Sequence, residues 1–211
     1  MTEHWYVYGA SGHGKVVIDT LYRRGITVTL LIDDDPCAIG LSVLGRTVDG
    51  ARDVLLAQRA RVDNGIVAIG DNKTRRTVAC WLTKECLPFG VVIDPSAVVS
   101  ASAMIGAGTL VMAQAAINAD VQVGEHAIIN TGATVDHDCV VGDFVHLAPG
   151  VHLCGGVSVG AGALIGVGAV VVPGVHIGTE AIVGAGSTVI GDIPDGARVA
   201  GSPCRILEVR I

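Results

Sequence analysis

From Ile93 to Val189 every sixth residue is Ile, Val or Leu, without an insertion or deletion. Four residues after each aliphatic comes a small or β-branched side chain, as at Ala97, Thr109, Cys139, Val145 and Ser187. The residue directly after the aliphatic is often Gly, Asn or Asp, as at Gly106, Asn118, Gly124, Asn130 and Asp136. An α-helix repeats every 3.6 residues and a flat strand every two. A period of six marks a hexapeptide β-helix. In such a solenoid three hexads make one triangular coil of about eighteen residues, and residues one coil apart stack. Ile93, Val111, Ile129, Leu147, Ile165 and Val183 then form one inward column, and two parallel columns complete the core.

The repeat divides the chain of 211 residues into three expected segments: 1–90 in front, 91–195 as the solenoid and 196–211 as a C-terminal tail. Charged residues make up 16% and aromatics 3%, with 29 glycines, which suits a fold of tight corners around a core of small aliphatics. The net charge is −6 and Lys and Arg do not cluster, which argues against a nucleic-acid surface. Six cysteines show no C-x-x-C spacing, so a zinc or redox pair is not expected, no metal is called for, and a reducing, cytoplasmic location is the default. Cys139 falls on an inward position and reads as a small buried hydrophobe. Between Asp143 and Glu180 there is no Asp, Glu, Lys or Arg, so hydropathy alone suggests a membrane span. The segment keeps the six-residue phase and carries three His and two Pro, so the solenoid is the expected structure. No signal peptide is expected, because a strand begins within a few residues of Met1.

The first ninety residues alternate strand and helix. Strands are predicted at Trp5–Tyr8, Val28–Ile32 and Ile66–Ile69, and helices at Val16–Arg24, 51–60 and Lys73–Thr83. That order predicts a parallel, Rossmann-like half-domain. Gly9, Gly12 and Gly14 fit neither G-x-G-x-x-G nor a P-loop, since Val16 stands where a P-loop needs Ser or Thr. The general physics remains: glycines let a ligand approach the backbone, and amides at a helix start attract phosphate. Asp33, Asp34 and Asp35 end the second strand, where such sheets bind a ribose or base, or they form a solvated turn. Asn72 and Arg75 follow the third strand; Arg75 reads as a phosphate contact or as an exposed helix residue.

One polar exception stands out in the solenoid. His137 lies two residues after the inward Val135, and is expected near a strand end, facing outward. One coil away on either side are Ala119 and Gly155, so the imidazole has open space beside it, as a general base requires. Gly155 also leaves a backbone N–H near the ring, a candidate oxyanion donor. The neighbouring acid is Asp138. His146, His152 and His176 are read as exposed corner residues.

A Gly-Ala-Ser-Gly-His-Gly loop in a short front domain, followed by uninterrupted hexads containing Asp-His-Asp, resembles the bacterial sugar-nucleotide N-acetyltransferases. Members of that family act on UDP-4-amino sugars of the bacillosamine pathway and on GDP-perosamine, and sialic acid O-acetyltransferases are relatives. The resemblance implies a left-handed parallel β-helix, a homotrimer with active sites between subunits, and acetyl-CoA as acyl donor in the cleft between adjacent helices. It implies that His137 is the general base, with Asp138 where the family commonly has Glu, and that the Gly155 N–H faces the thioester carbonyl. Asn130 and His146 match positions near the acetyl and cofactor end, and Gly201 and Pro203 match the terminal motif near CoA. Gly12, His13, Gly14, Asp33, Asp34 and Arg75 match the sugar-nucleotide crevice. The expected reaction is acetylation of the 4-amino group of a nucleotide-linked 4-amino-4,6-dideoxyhexose. Two alternatives stay open: O-acetylation of a sialic acid-type sugar, and a non-catalytic trimer that binds sugar nucleotides.

Overall fold

The structure, a computed structural model, describes residues 3–207. Two compact units divide at Pro95 and Ser96.

In the front unit, β1 (His4–Tyr8) lies between β2 (Thr27–Ile32) and β5 (Asn64–Val67) in a three-stranded parallel sheet of order β2-β1-β5. After the exposed His4, β1 is covered on both faces: Trp5, Tyr6, Val7 and Tyr8 are all buried. Helix α1 (Gly12–Arg23) links β1 to β2, and α3 (Asn72–Lys84) follows β5. Two strands not expected from the sequence, β3 (Ser42–Val43) and β4 (Arg46–Thr47), form a small antiparallel hairpin after β2. The predicted helix at 51–60 is shorter: α2 spans Arg52–Ala57 and a 3₁₀ turn follows at Arg59–Arg61. β5 ends at Val67, two residues before its expected end, where its pairing with Tyr8, the last residue of β1, stops; beyond it Arg75 engages the carbonyls of Ile69 and Gly70.

The second unit is a parallel β-solenoid of about 6 turns. Each hexad contributes a two-residue strand, such as Ile128–Ile129, Thr134–Val135 and Val140–Val141. The ladder register is one coil: Ala116 pairs with Thr134, Gln122 with Val140, and Ile128 with His146. The second residue of each strand points inward, so Ile129, Leu147 and Ile165 are fully buried in one column. Each such side chain contributes roughly 1.5–3 kcal/mol by leaving water. Cys139 is buried as expected, and burial raises its thiol pKa.

Two turn positions carry distinct constraints. The position three residues after the aliphatic is left-handed from Gly108 to Gly186 in every hexad, and six of these positions are not Gly: Gln114, Asp120, His126, Asp138, Phe144 and Glu180. The glycines directly after the aliphatic, by contrast, are there for space. A Cβ on Gly124 would fall 2.7 Å from the backbone nitrogen of Asp143 in the next coil. Among the described residues no helix is long and apolar enough to cross a membrane.

One expectation is corrected. His146, His152 and His176 are not corner residues but the first residues of strands, because each strand comprises the aliphatic and the residue before it. His137 lies in the corner two residues past the end of the strand Thr134–Val135.

Candidate active site

His137 occupies a corner of the solenoid with its neighbours in the coils on either side holding it in place. The Gly156 N–H donates to the His137 carbonyl at 2.9 Å, and the Asp138 N–H donates to the Ala119 carbonyl at 3.1 Å. The imidazole lies over Gly155. A Cβ built on that glycine would be 2.6 Å from Cε1 and 2.7 Å from Nε2, so ring and side chain cannot both be present without movement. The amides of Cys154 and Gly156 donate to backbone carbonyls, at 3.1 and 2.9 Å, whereas that of Gly155 has no such bond among the described residues. The open column read from the sequence is therefore filled by the imidazole itself, lying against a glycine whose amide has no backbone acceptor among the described residues.

Nδ1 of His137 is 2.8 Å from Oδ2 of Asp138. A carboxylate only accepts, so Nδ1 carries the proton and Nε2 presents its lone pair. Asp138 takes up a left-handed conformation, φ +60°, at a position that is often Gly, and this places its carboxylate against the ring. The shorter side chain of Asp thus reaches the imidazole. The hydrogen bond that Nδ1 donates to Asp138, and then the charge of Asp136, raise the His137 pKa above that of an ordinary histidine.

Asp136 and Asn118 had not been singled out from the sequence. Asn118 Nδ2 donates to Asp136 Oδ1 at 2.8 Å, and the same oxygen accepts the backbone N–H of His137 at 2.9 Å. The Asn118 hydrogen bond, followed by that from the His137 amide, holds the Asp136 pKa below the usual value. Stacking one coil apart would have revealed the pair: an amide stands directly under a carboxylate. A surface groove of about 420 Å³ runs along this edge, lined by Val98, Val99, Ser100, Ile117, Asn118, Ala119, Asp136 and His137.

The other predicted residues of the second unit lie elsewhere on the prism. Asn130 Nδ2 is 3.1 Å from His146 Nε2, and the Asn130 side-chain oxygen accepts the Thr131 amide at 2.8 Å. His146 belongs to the sheet containing Ile128 and Leu164, which is the face opposite the His137 edge. Gly201 ends the strand Arg198–Gly201, Cys204–Ile206 folds back against that strand, and Pro203 sits in the turn between them. That hairpin extends the same opposite sheet. One chain therefore brings together His137, Asp138 and Gly155, and separately Asn130 and His146, but not the two groups.

In the front unit the glycine loop is pinned by Asp33. Its Oδ2 accepts the Ala10 amide at 2.8 Å and its Oδ1 the Asp35 amide at 2.9 Å. Gly14 has no room for a side chain, since a Cβ would meet the Gly9 carbonyl oxygen at 2.3 Å, whereas Gly12 faces open space. Ser11 at the N-cap of α1 makes no side-chain cap, and His13 sits in the first turn of that helix. This is the geometry that favours a phosphate. Asp34 forms an ion pair with Arg52, whose guanidinium lies 4.9 Å from the ring centre of Trp81. Arg75 is fully buried and turned inward. It donates to the carbonyls of Ile69 at 3.0 Å and Gly70 at 3.1 Å, and to Asn72 Oδ1 at 2.8 Å. Burial lowers its pKa to about 10, so it stays charged at neutral pH. Among the described residues no group of three His, Cys, Asp or Glu is arranged to hold a metal ion.

A hexad solenoid with a histidine and its carboxylate at an edge, following a small α/β unit in the chain, defines an acyltransferase of the hexapeptide class. A family model described as the PglD N-terminal domain matches residues 5–82. UDP-N-acetylbacillosamine N-acetyltransferase of Bacillus subtilis (strain 168) is 40% identical over 115 residues, 50% of this chain and 50% of that protein. The match thus spans half the length of that curated relative. A histidine variant of perosamine N-acetyltransferase from Caulobacter crescentus, solved with CoA and GDP-perosamine, has a TM-score of 0.94 at 44% identity, covering 99% of this chain and 98% of that one. The acetyltransferase domain of PglB from Neisseria gonorrhoeae FA1090, solved with acetyl coenzyme A, gives 0.92 at 38% identity over 98% and 100%. The chain belongs to the family of sugar-nucleotide N-acetyltransferases built on hexapeptide repeats.

Proposed function

We propose that this chain is an acetyl-CoA-dependent N-acetyltransferase that acylates the 4-amino group of a nucleotide-linked 4-amino-4,6-dideoxyhexose. The observation that carries the reading is the His137 corner: Nδ1 is held by Asp138 and Nε2 is left basic, beside a Gly155 amide with no backbone acceptor. Relatives of the same fold bind CoA together with GDP-perosamine, or bind acetyl-CoA. As the amine nitrogen attacks the thioester carbonyl, Nε2 of His137 takes its proton. The Gly155 N–H donates to the oxygen on which negative charge develops. The C–S bond then breaks, and the sulfur leaves as the thiolate of CoA.

Residues 1–90 hold the nucleotide in this reading. Gly12, His13 and Gly14 present the start of α1 to the diphosphate, Asp33 keeps their loop in shape, and Asp34 faces the nucleoside. Arg75 contributes by holding the turn after β5. Residues 91–195 carry the acyl transfer, and Gly201 and Pro203 in segment 196–211 lie against CoA. Because Asn130 and His146 lie on a different edge from His137, a second copy of the chain completes the site, which makes the active form a homotrimer with sites between subunits.

The test is CoA thiol release with UDP-, GDP- and dTDP-linked 4-amino sugars, each with the wild-type chain and His137→Ala. One nucleotide sugar should be acetylated on nitrogen, and the variant should lose about 10²–10⁴ in kcat, the usual worth of a general base. Near-full turnover by His137→Ala would remove His137 from the mechanism. Acetylation of free sialic acid hydroxyls would instead make the chain an O-acetyltransferase, and nucleotide-sugar binding without thiol release would make it a binding protein.

A further inference from the structure

We propose that Asp136, braced by Asn118 in the coil below, is a positioning residue for His137: its carboxylate fixes the peptide that carries the imidazole and places a second negative charge beside it. The inference rests on the reading of His137 as the base. Its ground is the hydrogen-bond geometry at this corner. One oxygen of Asp136 accepts both the His137 backbone N–H at 2.9 Å and the Asn118 side-chain N–H at 2.8 Å. The turn is therefore tied to the neighbouring coil through a side-chain bridge as well as through the backbone ladder, in which the Asn118 N–H donates to the Val135 carbonyl. In the same column the coil above has Cys154 and the coil two below has Ser100, neither of which carries a carboxylate.

The two carboxylates beside the ring then divide the work. Asp138 bonds to Nδ1 and selects the tautomer, while Asp136 fixes the backbone and adds charge without touching the ring. The charged or titratable groups facing this corner are Asp136 and Asp138 in the turn itself, Asp120 one coil below Asp138, and the exposed thiol of Cys154 one coil above Asp136. Of these, Asp138 and Asp136 are the ones that raise the basicity of His137. A base made more basic pulls harder on the amine proton, and is protonated over a wider acidic range.

Asp136→Asn is the informative change, because the amide oxygen still accepts both N–H groups while the charge is lost. His137 is followed by NMR titration of its ring in the full-length protein, beside the pH profile of kcat. In Asp136→Asn the ring midpoint and the acidic limb of kcat should both move to lower pH. Plateau kcat should fall by roughly 3- to 10-fold, as a weaker base gives a smaller Brønsted return, and the KM for acetyl-CoA should not change. Asn118→Leu, which removes the brace but keeps the carboxylate, should lower kcat with the midpoint near wild type. An unmoved ring midpoint in Asp136→Asn would overturn the proposal whatever the rate does. A midpoint that moves while the kcat profile stays put would uphold the coupling and show that His137 is not the base.

Discussion

The two units of this chain store information differently. In the solenoid the position of a residue within the eighteen-residue coil decides its neighbours, because the ladder keeps one register from Ala116 with Val98 to Val170 with Thr188, and shortens to sixteen residues only in the last coil, where Ile182 pairs with Arg198. In the front unit the contacts that matter join distant segments: Asp33 pins Ala10, Asp34 pairs with Arg52, and Arg52 lies over Trp81. A periodic fold turns counting into geometry. An α/β unit does not, since its loops come together only once the sheet order is set.

The sharpest way to break that contrast is Gly155→Ala. Counting alone puts Gly155 one coil from His137, and the structure puts its missing Cβ 2.6 Å from the ring. The imidazole, not the backbone, has to give way, so the solenoid should fold and melt as wild type. A catalytic group displaced by about an ångström costs on the order of 10²-fold, so kcat should drop by about that factor, roughly 2.7 kcal/mol. Unchanged kcat with an unchanged melt would mean that column arithmetic does not describe this site. What counting missed is equally physical. The Asn118–Asp136 bridge was visible as two residues one coil apart, but its meaning depended on the corner bringing the Asn118 side-chain N–H and the His137 backbone N–H to the same Asp136 oxygen. The left-handed series was missed because six of its positions are not Gly, so composition did not mark it.

Arg75→Met tests the opposite half of the contrast. From sequence, a cation just after a strand's carboxyl end reads as a phosphate ligand. In the folded unit its guanidinium is buried and spends its donors on Ile69, Gly70 and Asn72. Replacing it leaves those carbonyls short of a donor, which should lower stability by about 1–3 kcal/mol, read as a fall in the melting temperature. The KM for the nucleotide sugar should change little. A large rise in KM with the melt preserved would show that Arg75 reaches the ligand after all. Sequence could not decide this, because whether the side chain turns in or out depends on where the fold places the Ile69 and Gly70 carbonyls that accept from it.

The smallest effect concerns the two helix starts of the front unit. At α3 the N-cap Asp71 accepts the Thr74 amide at 2.8 Å and the Thr74 hydroxyl at 2.7 Å, whereas at α1 Ser11 caps nothing with its side chain. The chain thus closes one helix start with its own carboxylate and leaves the other uncapped. Asp71→Ala should cost about 1 kcal/mol, the ordinary worth of a cap, and leave nucleotide-sugar binding intact. The bonds from Thr74 depress the Asp71 pKa, so its stabilisation is present above the unfolded carboxylate pKa and lost as pH falls through the lower folded value. Melts of wild type and Asp71→Ala should therefore differ at neutral pH and converge in acid. If the variant instead weakened nucleotide-sugar binding by tenfold or more at an unchanged melting temperature, the start of α3 would be part of the ligand site, and the division between a closed and an open helix end would fall.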